Sequence, residues 1–161
     1  MKQNYNALIL KSVKITAGAI LAILFASCLN LKYSATAGII TILSIQNTKK
    51  ETIQTALARG EAFCCALLVS FLCYNFFGYT TAAFGIYLLI FTTLCLAMKW
   101  SSAIAMDSVL ITHFLAEKTM NIPMIANEIS LFLIGAGIGV LLNLSLRPKE
   151  NAWKDKMAEA D

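Results

Sequence analysis

Charged residues are scarce in this sequence and absent from three long stretches of it. They make up 14% of the chain, against 58% hydrophobic residues. A soluble domain carries about 25% charged residues, and a small domain leaves much of its surface in water. No Asp, Glu, Lys or Arg lies between Lys14 and Lys32, from Ala62 to Met98, or from Ile129 to Leu146. These stretches argue against a soluble fold and favour one surrounded by lipid.

Motifs of soluble enzymes and metal proteins are missing as well. The sequence has no Walker loop, no GxSxG and no HExxH, so we do not expect an enzyme. The single histidine and the five cysteines form no CxxC or other ligand spacing, so we expect no metal, no cofactor and no disulfide framework. The net charge of +4 comes from basic residues near span ends, which favours membrane anchoring over nucleic-acid binding.

The apolar stretches are sufficient for an all-α integral membrane bundle of about six transmembrane helices. We divide the chain into a cytosolic N-terminal segment (1–12), a six-helix transmembrane domain (13–146) and a charged cytosolic tail (147–161). The stretch from Ala62 to Met98 is too long for one span and suits two spans joined by a tight turn. The predicted helices are Val13–Leu29, Tyr33–Ile45, Ala62–Phe77, Thr80–Met98, Ser101–Leu115 and Glu128–Leu146.

The second predicted helix is too short to cross hydrocarbon, which needs about 20 apolar residues. A polar run follows it directly, and residues with helical spacing resume at Ile53. In the favoured interpretation this helix spans the membrane and continues as an amphipathic surface helix. In the other it breaks near Gln46 and half of it is re-entrant.

Basic residues predict the orientation in the membrane. If the N-terminus is cytosolic, all 13 Lys and Arg residues except Lys32 and Lys118 fall on the cytosolic side. The positive-inside rule therefore places both termini in the cytosol. We expect the first span to serve as its own insertion signal.

Small residues recur at four-residue intervals in two predicted spans. Gly18, Ala22 and Ala26 form one stripe, and Gly135 and Gly139 form a GxxxG. Such stripes let helices approach closely in lipid. They predict a packing interface within the bundle or between subunits, although Gly is also generally tolerated in spans.

Polar residues concentrate in the fifth predicted helix. Asp107 lies mid-span, with Ser108, Thr112 and His113 after it. Polar groups inside spans are costly and face protein or a water-filled path, so this helix is the best candidate for lining a pathway. Asp107 alternatively anchors a neighbouring helix. For His113 we favour a solvated position at the outer end, paired with Glu117, over a role in proton relay.

A polar and basic cluster follows the second predicted helix: Gln46, Asn47, Lys49, Lys50 and, later, Arg59. It is either a cationic vestibule that attracts anions or simple positive-inside anchoring.

The sequence resembles the aromatic acid exporter family, within the fusaric-acid-resistance-like group of membrane transporters. The resemblance covers residues 11–148 and rests on KITAG at 14–18, LKYSATAGIITILSIQ at 31–46, TKKETI at 48–53 and ARG at 58–60. Asn47 stands where relatives often have Pro, and the soluble helical half usual in the family is absent from this sequence.

The resemblance implies a bacterial cell-membrane protein that pairs with a second six-helix unit as a homodimer. It also implies efflux of small organic, mainly aromatic, acids. Gln46, Lys49, Lys50 and Arg59 would be its motif residues. The alternative is a membrane scaffold or regulatory subunit that transports nothing.

Overall fold

A computed structural model describes residues 5–45 and 49–145 of the chain. Within these residues it contains six α-helices, one short 3-10 helix and no strand. This confirms the all-α class for the described part. The helices are α1 (Tyr5–Cys28), α2 (Ala35–Ser44), α3 (Lys49–Phe77), α4 (Thr81–Ala97), α5 (Ile104–Glu117, preceded by the 3-10 helix Ser101–Ala103) and α6 (Ile122–Ser145).

The region between α2 and α3 differs from the favoured sequence interpretation. α2 ends at Ser44, and Ile45 has an extended conformation with φ −78° and ψ 119°. Residues after Lys49 belong to α3, which runs unbroken to Phe77. The prediction that the second helix continues past Gln46 is therefore wrong, and the basic segment extends the third helix instead.

α6 begins well before the predicted start at Glu128. The side chain of Asn121 accepts a hydrogen bond from the backbone N–H of Met124 at 2.9 Å. Asn is a favoured N-cap residue, and Pro123 in the first turn loses no intrahelical hydrogen bond. This local signal starts the helix at Ile122.

Two groups of buried side chains form the interior. One lies mainly among α3, α4 and α5 and includes Tyr87, Phe91, Ile111 and Phe114. The other joins α1, α2 and α6 to α3 and α5, and its buried residues are Ala22, Ala26, Ala37, Ile40, Phe63, Met106, Leu110, Leu131, Phe132 and Ala136. α3 and α5 contribute to both groups and so connect the two halves of the bundle.

The small-residue stripes lie at contacts within this chain. A Cβ added to Gly135 would come within 2.6 Å of Cβ of Ile40, and one added to Gly139 within 2.5 Å of Cβ of Ser44. Both glycines therefore let α6 lie directly against α2. Gly18 faces Leu142 of α6, and Ala22 is fully buried.

Large apolar side chains cover the outside of the bundle. Phe76, Leu89 and Leu141 are 75%, 70% and 67% exposed, and similar residues occur on every described α-helix. Soluble monomers rarely expose apolar surface of this extent.

Three helical segments are long and apolar enough to cross a membrane: Lys11–Cys28, Glu51–Phe77 and Ile122–Leu144. α2, with 10 residues, is only about 15 Å long and does not reach across alone.

Candidate functional site

The most unusual feature of the interior is a group of buried polar atoms without hydrogen-bond partners. Among the described residues, every such side-chain atom belongs to four residues: Arg59 (Nε), Tyr87 (hydroxyl), Asp107 (both carboxylate oxygens) and Ser108 (hydroxyl). They come from α3, α4 and α5. Most buried polar groups in native proteins are paired, so a concentration of unpaired ones marks a place for water or a polar ligand. We call these four residues the central polar cluster.

Arg59 belongs to α3, and its side chain reaches both this cluster and the C-terminal end of α2. Its side chain is 4% exposed. One terminal nitrogen donates to the carbonyl oxygen of Leu43 at 2.8 Å and lies 3.5 Å from the hydroxyl of Ser44. The last carbonyls of a helix lack intrahelical partners, and a cation is favourable at that end. Arg59 thus caps α2, and its Nε remains available to another partner.

Asp107 lies in the first turn of α5. The sequence had suggested a position in the middle of the span. It is fully buried. Its charge interacts through space with that of Arg59, but the two side chains form no salt bridge within the described residues. An ionised carboxylate buried without hydrogen bonds is costly, so this position favours an additional proton, cation, water or donor group.

The other two members bring neutral hydroxyl groups to the same place. Tyr87 of α4 is fully buried and lies close to Ser108 and to the charge of Asp107. A guanidinium, a carboxylate and two hydroxyls together can hold a small polar molecule that has both donor and acceptor atoms. The ring of Phe91 stacks on that of Tyr87 with centroids 5.4 Å apart.

A second polar site lies toward the other end of α5. Nδ1 of His113 is 2.7 Å from a carboxylate oxygen of Glu128 on α6, with the side chains 8% and 0% exposed. The prediction of a solvated histidine paired with Glu117 is therefore wrong. The sequence showed only the partner one turn along the same helix, whereas the actual partner comes from α6.

Residues of the α1–α2 connection and of the first turn of α2 cover this histidine. The ring of Tyr33 stacks on the imidazole with centroids 4.0 Å apart and an angle of 3° between planes. The hydroxyl of Thr36 lies 3.4 Å from Nε2 of His113. Tyr33 also donates to Glu117 at 3.2 Å. Glu117 therefore pairs with residues at the exposed edge of this site, which we call its rim, and is not the hydrogen-bond partner of His113.

The rim is fixed by polar contacts to the same connection. Lys32 forms a salt bridge with Glu117 at 2.7 Å, and this hydrogen bond lowers the pKa of Glu117 and raises that of Lys32. Asn127 accepts from the backbone N–H of Lys32 at 2.8 Å and donates to its carbonyl at 3.1 Å. These contacts hold the loop over α5 and α6.

A third buried polar contact joins α3 and α6 beyond Arg59. The amide of Asn143 donates to the hydroxyl of Thr52, and both side chains are buried. Asn143 lies about 22 Å along α6 from Glu128. The interior therefore carries polar groups at three levels: Glu128 and His113, then the central polar cluster, then Thr52 and Asn143.

The remaining predicted residues have varied surroundings. Ser108 lies in the central polar cluster, while the hydroxyl of Thr112 donates to the carbonyl of Val109 in its own helix at 2.6 Å. Gln46 is outside the described residues, and only the backbone of Lys49 and Lys50 is described, so the proposed vestibule stays a prediction.

Sequence reasoning missed Tyr87 and Glu128. Tyr87 lies inside a long apolar stretch, where a tyrosine is normally interpreted as part of the hydrophobic core. Glu128 did carry a signal, because it is an acidic residue directly before an uncharged stretch. Its pairing with the single histidine depends on how α5 and α6 pack, which residue spacing does not reveal.

Comparison with known proteins agrees with this architecture. A family model described as "Aromatic acid exporter family member 1" matches residues 7–146. The chain is also 36% identical over 152 residues to "Uncharacterized protein YqjA" of Bacillus subtilis (strain 168), a match covering 92% of this chain and 47% of that protein. The chain thus spans about half the length of this curated relative. No solved structure matches it.

The family match includes all three polar levels and nearly all of the apolar sequence. Together with the lipid-suited exterior and the three long apolar helices, it identifies a membrane protein. The chain belongs to the aromatic acid exporter family.

Proposed function

We propose that this chain forms the membrane part of an exporter of small organic acids, above all aromatic ones. The central polar cluster carries this proposal. Arg59 offers an unpaired guanidinium N–H, Tyr87 and Ser108 offer hydroxyls, and all are buried inside the bundle. A carboxylate entering from an aqueous mouth would pair with Arg59, which holds planar anions well.

The proposed arrangement in the membrane is multi-pass with both termini in the cytosol. The distribution of basic residues supports this orientation. It places the Thr52–Asn143 level toward the cytosol and the His113–Glu128 level toward the outside. Three of the described helices, α2, α4 and α5, are shorter than the roughly 20 residues that cross hydrocarbon. We therefore propose that the exporter is a dimer of such units, as in other transporters built from paired repeats.

The proposal is tested with a bacterial strain that lacks the gene and is challenged with a panel of aromatic acids. The wild-type gene should restore efflux of at least one acid. Asp107→Asn and Arg59→Lys should each reduce that efflux about tenfold, because each alters a charged hydrogen-bonding partner in the cluster. Arg59→Lys is preferred to Arg59→Ala because it keeps a cation near the end of α2.

The matched control is Thr93→Ala, which removes an exposed hydroxyl of α4 that donates only to its own helix, to Leu89 at 2.7 Å. This variant should transport like wild type at equal membrane abundance. Wild-type efflux by both cluster variants would reject the site. Failure of the wild-type gene to move any acid of the panel would reject the function itself.

A further inference from the structure

The contact between His113 and Glu128 has the composition of a proton-binding site. An ionised carboxylate has only acceptor atoms, so Nδ1 of the neutral imidazole carries the hydrogen that faces Glu128. Nε2 then has a free lone pair and accepts from the hydroxyl of Thr36 at 3.4 Å. The long Thr36 contact leaves Nε2 as the atom that can take up a proton.

Proton uptake changes the net charge of this buried pair from −1 to zero. With a neutral imidazole, the pair holds one uncompensated negative charge in a nearly dry environment, because Glu128 is 0% and His113 8% exposed. With an imidazolium, it becomes an ion pair that is joined by a charge-assisted hydrogen bond. The Thr36 hydroxyl needs only to rotate, so that it accepts from Nε2 instead of donating to it.

The cover over the pair is a second, independent feature. Tyr33 stacks flat on the imidazole, and its backbone has φ +57°, which is unusual for a bulky side chain. Backbone strain of this kind persists where surrounding contacts enforce it and often accompanies a functional site. Here the enforcing contacts are the bond from the Tyr33 hydroxyl to Glu117 and the two bonds between Lys32 and Asn127.

Ionisable groups surround the pair from several elements. The closest charges are Glu117 on α5 and Lys32 on the connection, which neutralise each other. From α3, the hydroxyl of Tyr74 donates to the carbonyl of Ile111 at 3.4 Å. Asp107 lies about 9 Å further along α5, where its charge interacts with Arg59 and Tyr87 and with the buried thiol of Cys95. No other cation among these groups faces Glu128, whose second carboxylate oxygen accepts from the amide of Asn127 at 3.0 Å. An imidazolium at His113 would therefore be its counter-ion.

We propose that the His113–Glu128 pair binds the proton that drives transport. This inference rests on the proposed exporter function and names its coupling ion. In the proposed orientation the pair lies at the outer end, where a proton enters and Nε2 receives it. Release of that proton to the cytosolic side regenerates the neutral imidazole while an organic anion leaves in the opposite direction. Imidazole is the side chain whose charge changes between about pH 5 and 8.

The single histidine allows proton binding to be measured directly and without a substrate. The full chain, purified with a tag that contains no histidine and placed in lipid nanodiscs, should give one set of imidazole signals in nitrogen-detected NMR. A titration from about pH 8 to 5 should change these signals as the ring takes up a proton, and Glu128→Gln should alter the midpoint of that change. Glu61→Gln, an exposed acid-to-amide change on α3, should leave the midpoint in place. Signals that stay constant over this range would overturn the proposal.

Coupling is measured in proteoliposomes with an acid that the efflux panel identifies. Two activities are compared: exchange of labelled for unlabelled acid without a gradient, and accumulation driven by a pH difference. His113→Gln should keep exchange and lose the accumulation, because Gln can still donate to Glu128 but binds no proton. Accumulation at the wild-type level would overturn the proposal, and if His113→Gln does not assemble, Glu128→Gln decides by the same criterion. Absence of exchange by the wild-type chain would instead reject the exporter function, while the NMR titration would still report on the pair.

Discussion

Gly135 and Gly137 provide a matched test of how α6 packs. At Gly135 an added methyl group would lie 2.6 Å from Cβ of Ile40 and 2.7 Å from the carbonyl oxygen of Ala37. One of these atoms is backbone, so α2 and α6 would have to separate. Overpacking of this kind costs about 1–3 kcal/mol, and we expect Gly135→Ala to reach about 3 kcal/mol because the backbone cannot rotate aside.

Gly137, half a turn away, has no atom within 4 Å of an added Cβ. Gly137→Ala therefore adds only helix propensity, which favours Ala over Gly by about 1 kcal/mol in water. The two substitutions are chemically identical and lie on one helix. The structure predicts opposite signs for them.

Thermal unfolding in detergent can be followed with a thiol-reactive dye, since Cys73 and Cys95 are buried at 5% and 0% exposure. Relative to wild type, Gly135→Ala should lower the midpoint by about 5–10 °C and Gly137→Ala should leave it equal or higher. Equal midpoints for the two variants would refute the direct contact between α2 and α6. A change in the oligomer with no change in midpoint would indicate that Gly135 faces another subunit instead.

Two further predictions concern contacts at the ends of the bundle. Asn143→Leu removes the buried donor to Thr52 and should cost about 1 kcal/mol in the same dye assay. Ser130→Ala removes a half-buried hydroxyl that donates within its own helix, to the carbonyl of Ala126, and should not lower the midpoint. Equal midpoints for the two variants would show that the contact between Asn143 and Thr52 contributes nothing. Glu117→Gln should unfold slightly more easily than wild type at neutral pH and low salt. That difference should vanish as the pH falls through the lowered pKa of Glu117, and again as it rises through the raised pKa of Lys32. A difference that persists in acid would exclude this salt bridge as its cause.

Sequence patterns anticipated the helices well because lipid makes the apolar signal strong. The six predicted segments each overlap a described helix, and the turn expected inside the stretch from Ala62 to Met98 occurs at Gly78, which has φ +70°. The predicted starts of α3 and α6 were wrong, because local interactions rather than hydropathy determine where these helices begin. α6 starts at its Asn121 cap, and α3 starts among charged residues near Lys49 that a hydropathy criterion excludes.

The candidate site was only partly accessible from the sequence. Asp107 and Ser108 were selected because polar groups are rare in apolar helices, and Arg59 was selected as part of the basic cluster that follows the second predicted helix. The structure brings these three residues together with Tyr87. The partner of His113 was misassigned because spacing along a helix reveals neighbours one turn away, whereas helix packing decides which residue of α6 lies opposite. Contacts between residues on different helices, such as His113 and Glu128, become visible only in the three-dimensional structure.

The short length of α2 connects the fold to the proposed site. A helix of 10 residues ends inside the bundle, where unpaired carbonyls have no water to bind. Arg59, about 12 Å along α3 from Glu51, satisfies the Leu43 carbonyl and places its charge at the negative end of the helix dipole. The same guanidinium faces Asp107 across the central polar cluster. An anion that drew Arg59 toward itself would weaken the cap of α2, and α2 is held to α6 at Gly135 and Gly139.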